Sequence, residues 1–289
     1  MKEHYDIEIA YLEGTATRVV SGCDDQNTRL IAWVHSTITT TERAAYSYRN
    51  FEETVHCYQK FQHIVFVAQS NLDPFQKVFP MLTTCCVKYN TVESDKILKM
   101  SQKPVPAGVF AADAFCMIGV GSLKPVKGFD RLIRVHQRLR ESGYSVHTYI
   151  LGKGPNQEKL TKYAAQIDVA DSVTFLGYDT NPYRYVRNCD LFVCSSLSEG
   201  FSTAATEALI VGTPVCTVEV SGMKEMLGEN NEWGIVTGND EDALYHGIKR
   251  LLDDPALLTQ YKGKAKERGR SFSTEATVKV VEDMLLEME

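Results

Sequence analysis

The feature that most constrains the fold is a strand, loop, helix and strand in the second half of the chain. Two short apolar runs, Asp190–Cys194 and Val215–Val218, have the composition of parallel strands that are buried on both faces. Between them Ser202 is a suitable helix N-cap, helix-forming residues follow, and Gly212 and Pro214 end the helix. Consecutive parallel strands need a crossover of this kind. The stretch therefore predicts an α/β protein built on parallel sheets.

The loop before this helix has the features of an anion site. It opens at the carboxyl end of its strand, where open parallel sheets bind ligands. The free N–H groups between Gly200 and Thr203 are expected to attract a phosphate group. Glu199 lies in this loop. The side chain of Glu207 is expected to reach the same site, because helical side chains lean toward the N-terminus. Phosphate held beside acceptor-only carboxylates suits a nucleotide-sugar; the alternative is that both glutamates are solvated surface acids.

The spacing and flanking residues of the two glutamates resemble a known signature. Glutamate, seven residues and glutamate characterise the retaining glycosyltransferases grouped as family 4. The matching residues are Glu199-Gly200-Phe201, Glu207-Ala208-Leu209 and Gly212-Thr213-Pro214-Val215. The resemblance implies a GT-B-like fold with two Rossmann-type domains. It also implies transfer of a sugar from a UDP- or GDP-linked donor to a hydroxyl acceptor, with retention of configuration and with no metal or other cofactor.

The glycine-rich loops of the second domain do not have the spacing of a dinucleotide-binding fingerprint. That fingerprint needs a glycine three residues after Gly121, where Lys124 stands, and a second loop at Gly152–Gly154 fails in the same way at Gln157. Binding of NAD by this route is therefore not expected.

The loop Gly121–Gly128 resembles instead the family's phosphate loop, in which an arginine and a lysine hold the donor diphosphate. Lys127 matches the lysine, whereas Ser122 occupies the arginine position. A hydroxyl group cannot replace the charged, bidentate contacts of arginine. Three possibilities follow: Lys127 and the helix N-terminus suffice, Lys124 or Lys153 helps, or the donor is bound weakly.

Further site residues are expected from the same resemblance. Tyr178 follows the strand end whose loop frames the nucleotide base, and Tyr183 beyond it is expected to pack in a short helix. His35 resembles a histidine that faces the donor sugar, although a lone histidine after an apolar run is more often packed or capping. The expected catalytic residues are Glu199, Lys127 and His35. The expected donor-binding residues are Gly121, Ser122, Lys127, Tyr178, Glu199, Gly200, Phe201, Ser202, Thr203 and Glu207.

Composition excludes several classes of protein. The 289 residues carry a formal charge of -6, which argues against a nucleic-acid partner. No apolar run is long enough to span a membrane, and the charged start is not typical of a signal peptide, so the expected location is cytoplasmic. The eight cysteines contain no C-x-x-C pair. They are expected to be reduced thiols and not zinc ligands, and no structural metal is predicted.

Strand and helix signals alternate along the whole chain and predict two doubly wound domains. The stretch 101–108, with two prolines and a glycine, is the expected linker. The predicted parts are an acceptor-side domain at 1–108, a nucleotide-sugar-binding domain at 109–273, and a helix at 274–289 that packs back on the first domain. The further expected strands are 6–11, 30–35, 64–68, 85–89, 115–120, 146–151 and 173–176.

The resemblance begins inside the first domain, so that domain is expected to be incomplete, and to be either loosely held or completed by a partner chain. The predicted function is a hexosyltransferase-type glycosyltransferase in surface polysaccharide or glycolipid assembly. Its expected acceptor is a sugar or a lipid-linked molecule, and the protein is expected to be peripheral to the cytoplasmic membrane face. Two alternatives stay open: a non-catalytic nucleotide-sugar-binding or assembly subunit, and a nucleotide-sugar epimerase.

Overall fold

The computed structural model describes residues 4–287, which form two compact units, each built on its own parallel sheet. The smaller unit holds the described residues up to Asn90 and those from Thr277 onward. Its four strands pair in the order β1-β2-β3-β4. Its elements are β1 (Ile7–Ala10), α1 (Thr15–Val20), β2 (Arg29–Val34), α2 (Thr41–Ala44), α3 (Phe51–Tyr58), β3 (His63–Phe66), α4 (Gln69–Val78) and β4 (Cys85–Val87).

The smaller unit has an aromatic core of its own. Phe75 lies 4.4 Å from Phe79, 4.8 Å from Phe66 and 5.2 Å from Tyr58, as measured between ring centroids. All four rings are fully buried against β2 and β3. Aromatic pairs at these separations contribute beyond the area that they bury.

The larger unit, Thr91–Ala276, contains a six-stranded parallel sheet. Its strands lie in the order β10-β9-β8-β5-β6-β7. Its elements are α5 (Ser94–Ser101), β5 (Phe115–Val120), α6 (Phe129–Glu141), β6 (Val146–Leu151), α7 (Gln157–Gln166), β7 (Val173–Gly177), α8 (Tyr183–Asn188), β8 (Leu191–Cys194), α9 (Thr203–Val211), β9 (Val215–Val218), α10 (Met223–Leu227), β10 (Ile235–Thr237), α11 (Glu241–Asp253) and α12 (Pro255–Arg270). The final helix is α13 (Thr274–Leu286).

The strand order of the larger unit fixes where a ligand can bind. Counted from β5, the sheet has the 3-2-1-4-5-6 order of a Rossmann sheet, so the direction of winding reverses between β5 and β8. The two strands pair in register through Met117 with Leu191 and Ile118 with Phe192. Open sheets of this kind bind ligands outside the carboxyl ends of the two strands at the reversal.

The division between the units differs from the linker expected at 101–108. It falls after Asn90, because α5 packs against α8 and α9 of the larger unit. The helix α13 crosses the division: from Thr277 onward it belongs to the smaller unit, where the Met284 sulfur lies 3.9 Å from that of Cys86. Met288 and Glu289, the last two residues of the expected helix, lie outside the described residues.

Candidate functional site

Two loops meet at the reversal point of the larger sheet. The first, Gly121–Gly128, follows β5, and the second, Ser195–Ser202, follows β8. The backbone N–H of Leu197 donates to the carbonyl of Val126 at 2.7 Å. The two loops are therefore tied into one surface at the carboxyl edge of the sheet.

Gly128 allows this close approach. Its φ of 60° lies in the left-handed region, and a Cβ atom there would overlap the carbonyl oxygen of Ser195. The Ser195 hydroxyl donates to the carbonyl of Lys127 at 3.1 Å across the same contact. The Lys127-Gly128 pair found in the sequence thus places the lysine next to the second loop.

Lys127 and Glu199, both predicted from the sequence, form an ion pair. Lys127 Nζ lies 2.6 Å from Glu199 Oε1, and the Ser196 hydroxyl donates to the same oxygen at 2.6 Å. The side chains are only 26% and 10% exposed, so the pair is weakly screened by solvent. The stem of Lys127 lies over Gly121. Because an ammonium group has three donors, the contact with Glu199 leaves Lys127 capacity for a phosphate oxygen.

Arg131 is a site residue that the sequence did not indicate. It lies in the first turn of α6 and is only 5% exposed. Its guanidinium group donates to the carbonyls of Ser195, at 2.5 and 3.2 Å, and of Ser196, at 3.0 Å, and also to Asn239 Oδ1 at 3.0 Å. Burial lowers its pKa from the usual range of arginine. Arg131 therefore holds the start of the Ser195–Ser202 loop through hydrogen bonds to its backbone, and adds a positive charge there.

Ser122 is exposed, and its carbonyl accepts a bond from the Lys124 N–H at 2.7 Å. The neighbouring β6 loop lies against it, since Leu123 N–H donates to the Lys153 carbonyl at 3.0 Å. The Lys153 ammonium stands 4.8 Å above the ring of Tyr178, which is itself exposed after β7. Lys153 thus lies between the Gly121–Gly128 loop and the residues that follow β7.

The start of α9 is built as the sequence predicted. Ser202 is the N-cap, and its hydroxyl accepts from the Ala205 N–H at 3.4 Å. Phe201 is buried, and its ring centroid lies 5.9 Å from that of Phe272. This packing holds the end of the Ser195–Ser202 loop in place. Thr203, the first residue of the helix, is exposed. The positive end of the helix dipole therefore opens toward solvent beside Glu199.

Glu207 lies in the second turn of α9 and is half-buried. Its Oε1 accepts a bond from the Tyr183 hydroxyl at 3.3 Å. Burial raises the pKa of Glu207 to about 7, and the bond from Tyr183 opposes that rise. Glu207 and Glu199 thus have different partners, and Tyr183 makes a polar contact besides the packing expected of it.

His35 belongs to the smaller unit, at the carboxyl end of β2. Its backbone N–H donates to Glu13 Oε2 at 2.9 Å, and its ring lies 4.9 Å from that of Tyr11. Its Nε2 atom is buried and has no hydrogen-bond partner among the described residues. Burial lowers the pKa of His35, which favours the neutral imidazole.

Within residues 4–287, no group of three His, Cys, Asp or Glu side chains is arranged to hold a metal ion. No helix of the same range is both long and apolar enough to cross a membrane.

The family model of the glycosyl transferases group 1 matches residues 106–268, more than half of the chain and the range that contains Lys127, Glu199 and Glu207. The chain belongs to this family.

Two curated glycosyltransferases are similar in sequence to this chain. A 4-alpha-N-acetylgalactosaminyltransferase of Campylobacter jejuni, named for a diphospho-undecaprenol-linked substrate, is 30% identical over 254 residues, which are 85% of this chain and 67% of the relative. The lipopolysaccharide core biosynthesis glycosyltransferase LpsD of Rhizobium meliloti is 28% identical over 58% of this chain and 48% of its own length. The chain thus spans about two thirds of the first relative and about half of the second.

Solved structures identify the fold. HepE from Anabaena, crystallised with UDP, has a TM-score of 0.83 at 18% identity, over 98% of this chain and 79% of that one. Sucrose-phosphate synthase from Thermosynechococcus elongatus has a TM-score of 0.79 at 17% identity, over 98% and 74%. The predicted fold class is confirmed: the two parallel, Rossmann-like sheets are those of GT-B glycosyltransferases.

Proposed function

We propose that this glycosyltransferase moves a sugar from a UDP- or GDP-linked donor to a hydroxyl acceptor with retention of configuration, as the resemblance to family 4 implies. The observation that carries the proposal is the Lys127–Glu199 pair at the reversal point of a Rossmann sheet, beside the start of α9. A lysine, a carboxylate and free helix N–H groups in one place suit a ligand with both phosphate and hydroxyl groups.

The reaction requires stabilisation of the diphosphate as it leaves the sugar. In this proposal the Lys127 ammonium and the N–H groups between Gly200 and Thr203 neutralise the charge that develops on the leaving oxygen. Arg131 adds a buried positive charge beneath the same loop. These groups partly compensate for Ser122, which cannot supply the bidentate contact of arginine.

The nucleoside would be held farther along the same surface. The carboxylate of Glu207 would accept the two ribose hydroxyls, since an ionised carboxylate is an acceptor on both oxygens. Backbone groups near Tyr178 would contact the base, with Lys153 above the Tyr178 ring. Gly121 and Ser122 would lie against the diphosphate.

For His35 we propose a contact with the donor sugar. Its Nε2, buried and without a hydrogen-bond partner within residues 4–287, would gain one from a sugar hydroxyl. No enzyme nucleophile is part of the proposal. Retention would arise because the acceptor hydroxyl attacks the sugar on the face that the diphosphate leaves.

The names of the relatives guide the choice of acceptor. One is named for a lipid diphosphate-linked substrate and another for lipopolysaccharide core biosynthesis. We therefore propose a sugar or lipid-linked acceptor in surface polysaccharide or glycolipid assembly, at the cytoplasmic face of the membrane. A partner chain that completes the smaller unit is part of the same hypothesis.

Calorimetry with UDP and GDP tests the donor site. We expect one of the two to bind, and we expect Glu207→Ala to weaken that binding by roughly 1.5–3 kcal/mol, the usual cost of losing a charged acceptor. Glu158→Ala, at an exposed glutamate on α7, is the matched control and should bind as the wild type does. Absence of binding by both nucleotides, or equal affinity in the Glu207 variant, would contradict the proposal.

Product analysis then separates the proposed activity from its alternatives. A nucleotide-sugar chosen by thermal shift would be incubated with candidate acceptors, and the products examined by NMR. A glycosylated acceptor with the donor's anomeric configuration supports the transferase. An epimerised nucleotide-sugar would identify an epimerase, and binding without transfer or hydrolysis would identify a non-catalytic subunit.

A further inference from the structure

Tyr183 and Glu207 make a contact that sequence patterns did not reveal. Tyr183 is the first residue of α8, and its side chain meets that of Glu207 where α8 packs on α9. The hydroxyl oxygen lies 3.3 Å from Glu207 Oε1, and both side chains are half-buried. A bond of this kind fixes the direction in which the carboxyl group points.

Glu93, at the start of α5, is a further charged group that acts on Tyr183. Burial, Glu207 and Glu93 together raise the pKa of Tyr183. The elements packed on α9 also carry charges at its opposite end, around Gly212. These are Asp95 on α5, Arg187 on α8, and Lys262, Lys266 and Arg270 on α12. For Glu207 itself, burial and the Tyr183 hydroxyl are the two influences on its pKa.

We propose that Tyr183 is a positioning residue whose hydroxyl keeps Glu207 as an oriented carboxylate, ready to accept the ribose hydroxyls of the donor. The inference rests on the proposed function. An ionised carboxyl group has about four lone-pair sites. The bond from Tyr183 uses one of them on Oε1, and Oε2 and the remaining sites stay available to the two hydroxyls.

The protonation states suit this role. Burial, with Glu207 and Glu93 nearby, raises the pKa of Tyr183 to about 12, so the phenol keeps its proton and donates throughout the neutral range. Glu207 has a pKa of about 7, so at neutral pH its carboxyl group is divided between its two forms. A hydrogen bond to the ionised form favours that form. Without the hydroxyl, less of Glu207 would be ionised at pH 7.

Tyr183→Phe removes the hydroxyl and keeps the ring that packs on α9. If loss of the hydrogen bond raises the proton affinity of Glu207 about tenfold, the ionised fraction of Glu207 at pH 7 should fall roughly fivefold. The affinity for the nucleotide should fall by the same factor. At pH 9 nearly all of Glu207 would be ionised in both proteins, and the affinities should agree within about twofold. The matched control is Tyr245→Phe, whose hydroxyl bonds Ser142 on the other side of the larger unit, and it should bind as the wild type does at both pH values.

The decisive measurement is calorimetry with UDP or GDP at pH 7 and pH 9. Equal affinity of the Tyr183 variant and the wild type at pH 7, or an equal loss at both pH values, would overturn the inference. If such a result came with weakened binding in Glu207→Ala, the proposed function would stand. Failure of the wild type to bind either nucleotide would overturn both.

The effect of the Tyr183 hydroxyl on the ionisation of Glu207 can also be measured without a ligand. Carbon NMR can follow the Glu207 carboxyl group during a pH titration, with Glu207→Gln used to assign its signal. We expect the midpoint to lie at higher pH in Tyr183→Phe than in the wild type. The same midpoint in both proteins would contradict a role for the hydroxyl in holding the carboxylate.

Discussion

The carboxyl group of Glu207 should reduce stability above neutral pH. In the unfolded chain it ionises near the ordinary value of 4.5, whereas in the folded protein burial raises its pKa to about 7. Between these values the folded state binds more protons than the unfolded state, so its stability falls as pH rises and the loss is complete above pH 7. Glu207→Gln should therefore be more stable than the wild type at pH 8, by up to about 3 kcal/mol.

Urea unfolding at pH 5 and pH 8 measures this difference. The advantage of the glutamine variant should be small at pH 5 and should grow with pH. A difference that stays constant would show that the carboxyl group ionises in the folded protein without penalty.

Gly128 is required for two reasons that can be separated. Its backbone is left-handed, and a Cβ atom would also overlap the Ser195 carbonyl. Gly143 has a φ of 88° but open space around it. We expect Gly143→Ala to cost about 1 kcal/mol of unfolding free energy, the strain alone, and Gly128→Ala to cost roughly 2 kcal/mol more. Equal costs in denaturant unfolding would mean that the two loops can separate without penalty.

Ser122 is the position at which the chain departs from the phosphate loop that the resemblance to family 4 implies. Ser122→Arg should strengthen nucleoside diphosphate binding about tenfold or more, because a bidentate, charged contact is gained. Ser122→Gln supplies a long polar side chain without charge and should give little gain. Calorimetry in which the arginine variant binds no better than the glutamine variant would place the diphosphate elsewhere.

At the scale of elements, Arg131 joins α6 to the loop after β8. Arg131→Met would leave the carbonyls of Ser195 and Ser196 without their buried donor, at a cost of roughly 2–4 kcal/mol in unfolding free energy. Arg134→Met, one turn later, breaks only partly exposed ion pairs and should cost about 1 kcal/mol or less.

The Arg131→Met and Arg134→Met variants should also differ in their affinity for the nucleotide. Only the Arg131 variant should bind more weakly, because only there does the Glu199 loop lose its support. If both variants bind and unfold alike, the buried arginine has no special role.

The strand, loop and helix pattern around α9 could be predicted in detail from the sequence. Ser202 caps the helix and Gly212 ends it in the left-handed conformation, because these residue types have strong local preferences. Weaker local signals were missed: α5, whose residues were assigned to no element, and the short β10, which is held by pairing with β9.

The side-chain partners could not be predicted for a different reason. Arg131 reaches carbonyls 64 and 65 residues away, and Tyr183 reaches a glutamate 24 residues away. Periodicity describes one element at a time, so it gave no signal for Arg131, and Tyr183 was expected only to pack in a short helix. Lys127 was found through the resemblance of its loop to a family loop, and Glu199 through its place after a strand together with the glutamate signature.

At the scale of the whole molecule, the two units are expected to differ in local stability. The smaller unit has an edge strand, β1, followed by exposed apolar side chains, with Tyr11 58% and Leu12 56% exposed. Unpaired edges and exposed apolar surface are typical of segments that open readily or bind other chains. We predict faster amide exchange in β2 and β3 than in β8.

Hydrogen exchange on the monomeric protein measures this directly. Slow exchange in β2 and β3 that matches β8 would show that the smaller unit is stable by itself. The proposed partner chain would then be unnecessary, and a complete acceptor side within this chain would become the favoured interpretation.

The strand order of the larger sheet determines when the proposed nucleotide site forms during folding. Contacts between β5 and β8 join residues 74 positions apart, such as Cys116 and Asp190, while β5 and β6 are close in sequence. Contacts between distant residues form late in folding, because a long loop must close first. The loops that carry Lys127 and Glu199 meet only when β8 joins β5. A refolding chain should therefore gain nucleotide affinity abruptly at this late step, after much of its secondary structure has formed.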